Sequence, residues 1–308
     1  MFLSIIIVTW NSQNELAECL SSLRNQDSCQ FELIIVDNGS SDQTVATAHK
    51  LFPQAIVVCN DENKGFAVAC NIGIERAHGE WVGLLNPDTM VNDNWVSSLQ
   101  EASLRASPRT GMLQPLILFK KDHFVNSTGI KLTLSGGASD RGFRTSPASR
   151  EWGRDVFCPS AGAALYRRAT LESVKMNSGY LDSGFFMYWE DVDLGWRCRL
   201  AGWEARYVPE IQVYHEYQGS SKHLGNKFVQ AQIAINRVAS IGKNASFFFL
   251  LATVPRTIWD LMLGLCRGNW PLLGRMFRSF WYGVGQRPEV NRLMIKTRRS
   301  VERDWAGR

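Results

Sequence analysis

The feature that most constrains this chain is a fourfold alternation of buried-strand and amphipathic-helix patterns that ends on a carboxylate. Residues 3–9 read as a buried strand around the apolar run Ile5-Ile6-Ile7-Val8. In residues 14–23, Leu16, Cys19, Leu20 and Leu23 recur at helical spacing behind Ser12-x-x-Glu15, a capping-box pattern. Residues 31–36 read as a second strand and 43–51 as a second helix. Residues 55–59 and 66–77 repeat the pair, and the strand at 81–85 delivers Asn86-Pro87-Asp88. Successive strand–helix units need right-handed crossovers, which make the strands parallel and cover both sheet faces. The expected class is α/β, a mostly parallel sheet flanked by helices with a C-terminal helical appendage. The expected domains are 1–241 and 242–308.

After Gly111 the pattern is mixed. Residues 112–119 look like a strand. Residues 127–149, rich in Gly, Ser and Thr, read as a hairpin or mobile loop. Residues 160–166 form a small-residue strand, 191–201 a helix, and 205–208 and 211–214 short extended pieces. An apolar share of 45% with 20% charged residues excludes a disordered chain. Seven Cys with no CxxC spacing read as reduced thiols, so a cytoplasmic location is expected. The run Ile5-Ile6-Ile7-Val8 is too short for a signal peptide and lacks a basic flank. Net charge is +5, but residues 242–308 carry 12 Lys and Arg against 4 Asp and Glu. The body is slightly acidic, which argues against nucleic-acid binding there.

The chemistry gathers at strand ends, where open α/β sheets bind ligands. Thr9, Asn11, Asp37 and Asn38 are short polar residues suited to the edges of a base and ribose, and equally to turns and caps. Asp88 could hold Mg2+ or Mn2+ on a diphosphate, or cap a helix starting near Asn92. Glu190-Asp191 opens a helix among Phe185, Phe186, Tyr188 and Trp189. Desolvation there would make Asp191 a better general base; the alternative is a cap in an aromatic core. His215 is either a second metal ligand or a structural histidine. The first strand runs into Thr9-Trp10-Asn11-Ser12 instead of GxGxxG, which sets aside a nicotinamide or flavin enzyme.

The tail reads separately. An apolar segment begins at Phe247-Phe248-Phe249-Leu250-Leu251, and Pro255, Arg256 and Asp260 interrupt it before it reaches a spanning length. Trp259, Trp270 and Trp281 recur every eleven residues among Arg256, Arg267, Arg275 and Arg278, a spacing that returns to one helical face. The expectation is interfacial helices on an anionic membrane surface. The alternative is a hairpin buried against the body or a second subunit, as in a homodimer.

Taken in order, these motifs resemble the family 2 glycosyltransferases, which have the GT-A (Rossmann-like) fold. The match spans residues 4 to about 244 and includes residues 36–42, 60–65, 84–88, 185–203 and 208–215. Asn86-Pro87-Asp88 and Glu190-Asp191-Val192-Asp193-Leu194 before an Arg-bearing helix look like the rhamnosyltransferase-like branch. The resemblance implies that Thr9, Asn11, Asp37 and Asn38 hold the nucleoside. Asn63 and Gly65 lie near the diphosphate or ribose, and Asn86 and Glu190 belong to the nucleotide-sugar site. Asp88 and His215 bind Mg2+ or Mn2+, and Asp191 deprotonates the acceptor. Asn86 departs from the family's first Asp, and a neutral ligand weakens metal affinity. The implied activity is inverting transfer from a nucleotide sugar, dTDP-rhamnose first and UDP-hexoses or UDP-galactofuranose next. The acceptor would be a glycan or lipid-linked precursor of a cell-surface polysaccharide, and the location the inner face of the cytoplasmic membrane. A non-catalytic sugar-nucleotide-binding scaffold is the alternative class. Residues 127–154 and 220–237 are expected to shape acceptor choice.

Overall fold

The computed structural model describes residues 2–27, 31–149, 152–216, 225–266 and 268–307. The expected strand–helix alternation is present. Strands β1 (Leu3–Thr9), β2 (Phe31–Asp37), β3 (Ile56–Cys59) and β4 (Trp81–Leu85) pair in parallel in the order β3-β2-β1-β4. Helices α1 (Gln13–Arg24), α2 (Thr44–Leu51) and α3 (Phe66–Arg76) connect them. Along β1, Ile5 and Ile7 enter one apolar cluster and Ile6 the other. That period of two is why successive residues Ile5, Ile6 and Ile7 are all apolar: both faces of the strand are covered.

The rest of the sheet is mixed. It is built from β5 (Thr89–Val91), β6 (Thr110–Phe119), β7 (Val125–Ser127), β10 (Ala163–Arg167) and β11 (Glu204–His215). Strand β10 runs antiparallel to both β4 and β6, β11 is parallel to β6 and antiparallel to β5, and β7 is antiparallel to β6. The segment expected to be a hairpin or loop carries the small pair β8 (Ile130–Leu132) and β9 (Ala138–Asp140). The two extended pieces expected after residue 204 are one strand. Its register against β6 shifts between Val208 and Gln212, a bulge at Pro209, which has no N–H to give to the ladder.

Three local expectations are corrected. The capping box at Ser12 does not form: the Ser12 hydroxyl donates to the Trp10 carbonyl at 3.1 Å and caps nothing. Asp88 is not a helix cap, because β5 follows it and helix α4 (Trp95–Arg105) starts after Asn94. The tryptophan spacing does not make one face. Trp259 lies in α8 (Phe247–Cys266), Trp270 in the turn, and Trp281 in α9 (Leu272–Gly285). All three are nonetheless exposed, at 59%, 72% and 55%.

Helix α7 (Asn226–Asn244) runs unbroken through the expected junction at 241–242. It packs against α6 (Glu190–Leu200) and α9. Gly283 of α9 allows the closest approach: a Cβ there would lie 2.0 Å from the Ala239 carbonyl oxygen. Lys243 ion-pairs with Asp182 and, at 3.0 Å, with Asp193, all three side chains having no exposure. Asn244 donates to Asp193 at 2.8 Å, and Tyr282 of α9 donates to Asp182 at 2.6 Å. Helix α8 continues through Pro255, Arg256 and Asp260, so its twenty residues form one helix long and apolar enough to cross a bilayer, with little of it buried. Helix α5 (Arg168–Val174) follows β10 directly, and the chain closes with α10 (Arg287–Leu293) and α11 (Arg298–Trp305) after α9.

Candidate active site

The C-terminal ends of β1 and β2 meet through Asp37. Its buried carboxylate accepts from the Thr9 hydroxyl at 2.8 Å and from the Ser40 amide and hydroxyl at 2.8 and 2.6 Å. Asn11, in a left-handed conformation, accepts from the Ser41 amide. Asn38 is held at both ends of its amide, donating to the Gly65 carbonyl and accepting from Asn60. Gly65 has φ +86°, and a Cβ there would sit 2.4 Å from the Phe186 carbonyl oxygen. Only glycine lets the start of α3 dock there, where the Phe66 amide donates to that same oxygen.

Asp88 and His215 are joined by the β5–β11 pairing, in which His215 lies opposite Thr89. Asp88 Oδ1 is buried and has no hydrogen-bond partner among the described residues, although His215 Nε2 lies 3.1 Å away. Asn126 of β7 orients the ring: its amide oxygen is 2.9 Å from Nδ1. An amide oxygen only accepts, so Nδ1 carries the proton and Nε2 is the nitrogen presented to the carboxylate. With Nε2 unprotonated, the two atoms are acceptors at a separation that suits a shared cation. Among the described residues there is no group of three such side chains. For such a cation the pair would supply two ligands, leaving the rest to substrate phosphates and water as in Mg2+ sites.

Across the cleft, Tyr188 and Trp189 both adopt left-handed φ, +65° and +73°. Consecutive non-glycine residues in this region are strained, and such strain gathers at functional sites. Asn236 of α7 donates to the carbonyls of Met187 and Tyr188 at 2.9 and 2.7 Å and so braces the turn. The turn launches α6 with Glu190 and Asp191. Asp191 accepts from the amides of Ala161 and Val192 at 3.1 and 2.7 Å. Burial pushes its carboxyl up to about 6. Burial and then the Asp191 charge push Glu190 up to about 8. The pair is thus split into one ionised and one protonated group near neutrality, a division that separates acid and base roles.

A cleft of about 600 Å3 joins these parts. Thr9, Asn38, Asn63, Gly65, Asn86, Asp88, Glu190, Asp191 and His215 all line it; Asn11 and Asp37 do not and support it from behind. Sequence reasoning missed Asn126, Asn236 and Asp140, the last on β9 in the cleft wall with its carboxyl raised by burial. Asn236 had a readable signal: Gln232, Asn236, Ser240 and Asn244 recur every four residues along one line of the helix.

Residues 4–174 match the description Glycosyl transferase family 2. The chain belongs to this family. It is a glycosyltransferase, which decides against the scaffold alternative. It is similar to the N-acetylglucosaminyl-diphospho-decaprenol L-rhamnosyltransferase of Mycobacterium tuberculosis, 28% identical over 240 residues, covering 69% of this chain and 75% of that one. A PGL/p-HBAD biosynthesis glycosyltransferase of Mycobacterium bovis is 33% identical over 142 residues, 44% of this chain and 51% of that one. Among solved structures, a mannosyltransferase from Pyrobaculum calidifontis in complex with GDP-Man and Mn2+ superposes with a TM-score of 0.58 at 16% identity, covering 93% of this chain and 86% of that one. GalNAc-T7 with UDP, GalNAc and Mn2+ gives 0.59 at 18% identity, covering 78% of this chain and 47% of that one. These likenesses establish the GT-A fold of this transferase.

Proposed function

We propose that this transferase moves a sugar, with rhamnose favoured, from a nucleotide-diphosphate donor to a hydroxyl of a glycan or lipid-linked acceptor, inverting the anomeric carbon, in cell-surface polysaccharide assembly. The observation that carries the reading is the cleft itself, with a buried, braced Asp191 on one wall and the Asp88–His215 pair on the other. Asp191 takes the proton of the acceptor hydroxyl. The freed oxygen forms a bond to the anomeric carbon from the face opposite the diphosphate, while the bond to the diphosphate oxygen breaks and the nucleoside diphosphate leaves. Mg2+ or Mn2+ held by Asp88 and His215 would supply positive charge against that departing diphosphate. Thr9, Asn38, Asn63 and Gly65 form the nucleotide side of the cleft, backed by Asn11 and Asp37, and Asn86 and Glu190 face the donor sugar.

Rhamnose rests on the mycobacterial relative's name and on the Asn86-Pro87-Asp88 wording; UDP-hexoses are the second choice. From the segment 127–154, Ile130, Ala138, Ser139 and Asp140 line the cleft, which fits acceptor selection. Residues 220–224 of the second such segment, and 150–151 of the first, lie outside the described residues. Residues 242–308 are read as a membrane-surface unit on the inner face of the cytoplasmic membrane, with a second subunit as the competing cover. Exposure of Phe247, Phe248, Trp259, Phe277 and Trp281 on one hairpin supports this, because soluble surfaces rarely gather such residues.

Thermal melting with a panel of nucleoside diphosphates, with and without Mn2+, tests the donor site. A melting shift with dTDP or UDP that grows with Mn2+ and shrinks in Asp88→Ala is expected. A folded protein that no nucleotide stabilises would sink the reading.

A further inference from the structure

We infer that one face of α7 is the track for an anionic lipid-linked acceptor, with its phosphate-type linker at Arg237 and its hydrocarbon chain in a groove between α7, α8 and α9. This rests on the acceptor reading above and adds where such a molecule lies. Gln230, Ile233, Arg237 and Ile241 recur along α7 at helical spacing. Eleven residues turn an α-helix back to within roughly 20° while it rises about 16 Å. Gln230 and Ile233 line the catalytic cleft, and Ile241 lines a second cavity of about 290 Å3. The same helix face therefore leads out of the cleft and into the groove.

The groove suits a hydrocarbon chain. Its walls are Val238 and Ile241 of α7, Leu250, Ile258 and Leu261 of α8, and Met276 of α9, with Thr253 and Thr257 as the polar lining among the described residues. Its outer rim opens onto exposed Leu273 and Phe277, at 54% and 64%.

Arg237 supplies the charge complementarity that selects the occupant. Its side chain is buried, at 2% exposure. Nη2 donates to Thr257, a groove residue, at 3.0 Å and pairs with Asp260 at 3.0 Å. Its Nε and Nη1 have no partner among the described residues. Asp260 is shared with Arg256, also at 3.0 Å, so two guanidinium groups face one carboxylate. A buried cation with unused donors beside an apolar groove calls for an anion attached to a chain. A free anion leaves the groove empty, and a neutral hydrocarbon leaves the donors unpaired.

The test is equilibrium binding of the full chain, without donor, to farnesyl diphosphate, inorganic diphosphate and farnesol. Farnesyl diphosphate is expected to bind at least about tenfold tighter than either fragment. Arg237→Gln is expected to reduce its affinity to that of farnesol. Met276→Trp, which fills the groove, is expected to reduce it to that of inorganic diphosphate; Leu273→Trp at the rim serves if the first variant melts early. Nucleotide-induced melting shifts are expected to stay unchanged in all of these variants. Equal wild-type affinity for farnesyl diphosphate and inorganic diphosphate overturns the inference. So does full displacement of farnesyl diphosphate by phosphatidylglycerol vesicles, which would assign the groove to bulk lipid. Failure of the transferase reading would show elsewhere, as the absence of any nucleotide shift.

Discussion

Asp191 receives two backbone N–H groups, which favour its charged form, yet burial outweighs them and lifts it to about 6. A general base must be ionised to act. The rate with saturating donor is therefore expected to fall about tenfold per pH unit below about 6, where protonation removes the base. Asp191→Asn is expected to lower kcat by about 10^2 to 10^4 and leave the nucleotide-induced melting shift intact. Stability has its own pH dependence. Asp191 and Glu190 titrate higher folded than unfolded, so the folded chain holds more protons between the two values. Their contribution is complete below the unfolded carboxylate range and is lost as pH rises through about 6 and then about 8. Melting temperature is expected to drop across that window, and Glu190→Gln to flatten the drop. That Asp88, Asp191 and His215 would lie at a cleft was legible because their types sit at strand and helix ends. Asn126 was not, because its role depends on a ring nitrogen brought from far along the chain, and the four-residue seam that marks Asn236 does not say which carbonyls it meets.

Among the elements, α7 braces the Tyr188–Trp189 turn that precedes Asp191. Asn236→Ala removes both donors to the Met187 and Tyr188 carbonyls and leaves two strained residues unbraced. The expected outcome is a loss of about 1–3 kcal/mol in stability and a lower kcat with little change in donor KM, separable by steady-state kinetics. Lys243→Met strips a buried cation from Asp182 and Asp193 and is expected to cost about 3–5 kcal/mol in denaturant unfolding. Arg256→Ala is the control, expected to cost at most about 1 kcal/mol through its partly exposed pair with Asp260. The contrast separates a buried ionic lock from a surface ion pair. The lock also makes the basic tail part of the fold, since Tyr282 of α9 closes onto Asp182.

At the scale of the whole molecule, α8 and α9 leave an apolar, aromatic face uncovered on a chain whose C-terminal region is basic. Vesicle flotation is expected to recover the protein with anionic vesicles and less with neutral ones, and the double change Trp259→Asp with Trp281→Asp to abolish recovery. Retention of the double variant on vesicles would instead favour a second subunit as the cover. The sequence by itself determined the parallel half of the sheet and the strand ends bearing Thr9, Asp37 and Asp88. Strand runs, helical periods and turn residues are local, and a right-handed crossover leaves few arrangements for four such units. Only the tertiary structure decided that β11 lies between β5 and β6, setting His215 beside Asp88, and that α7 crosses from the cleft to the hairpin. Pairing of distant strands and burial of a polar helix seam depend on which surfaces meet, and no local window of sequence carries that information.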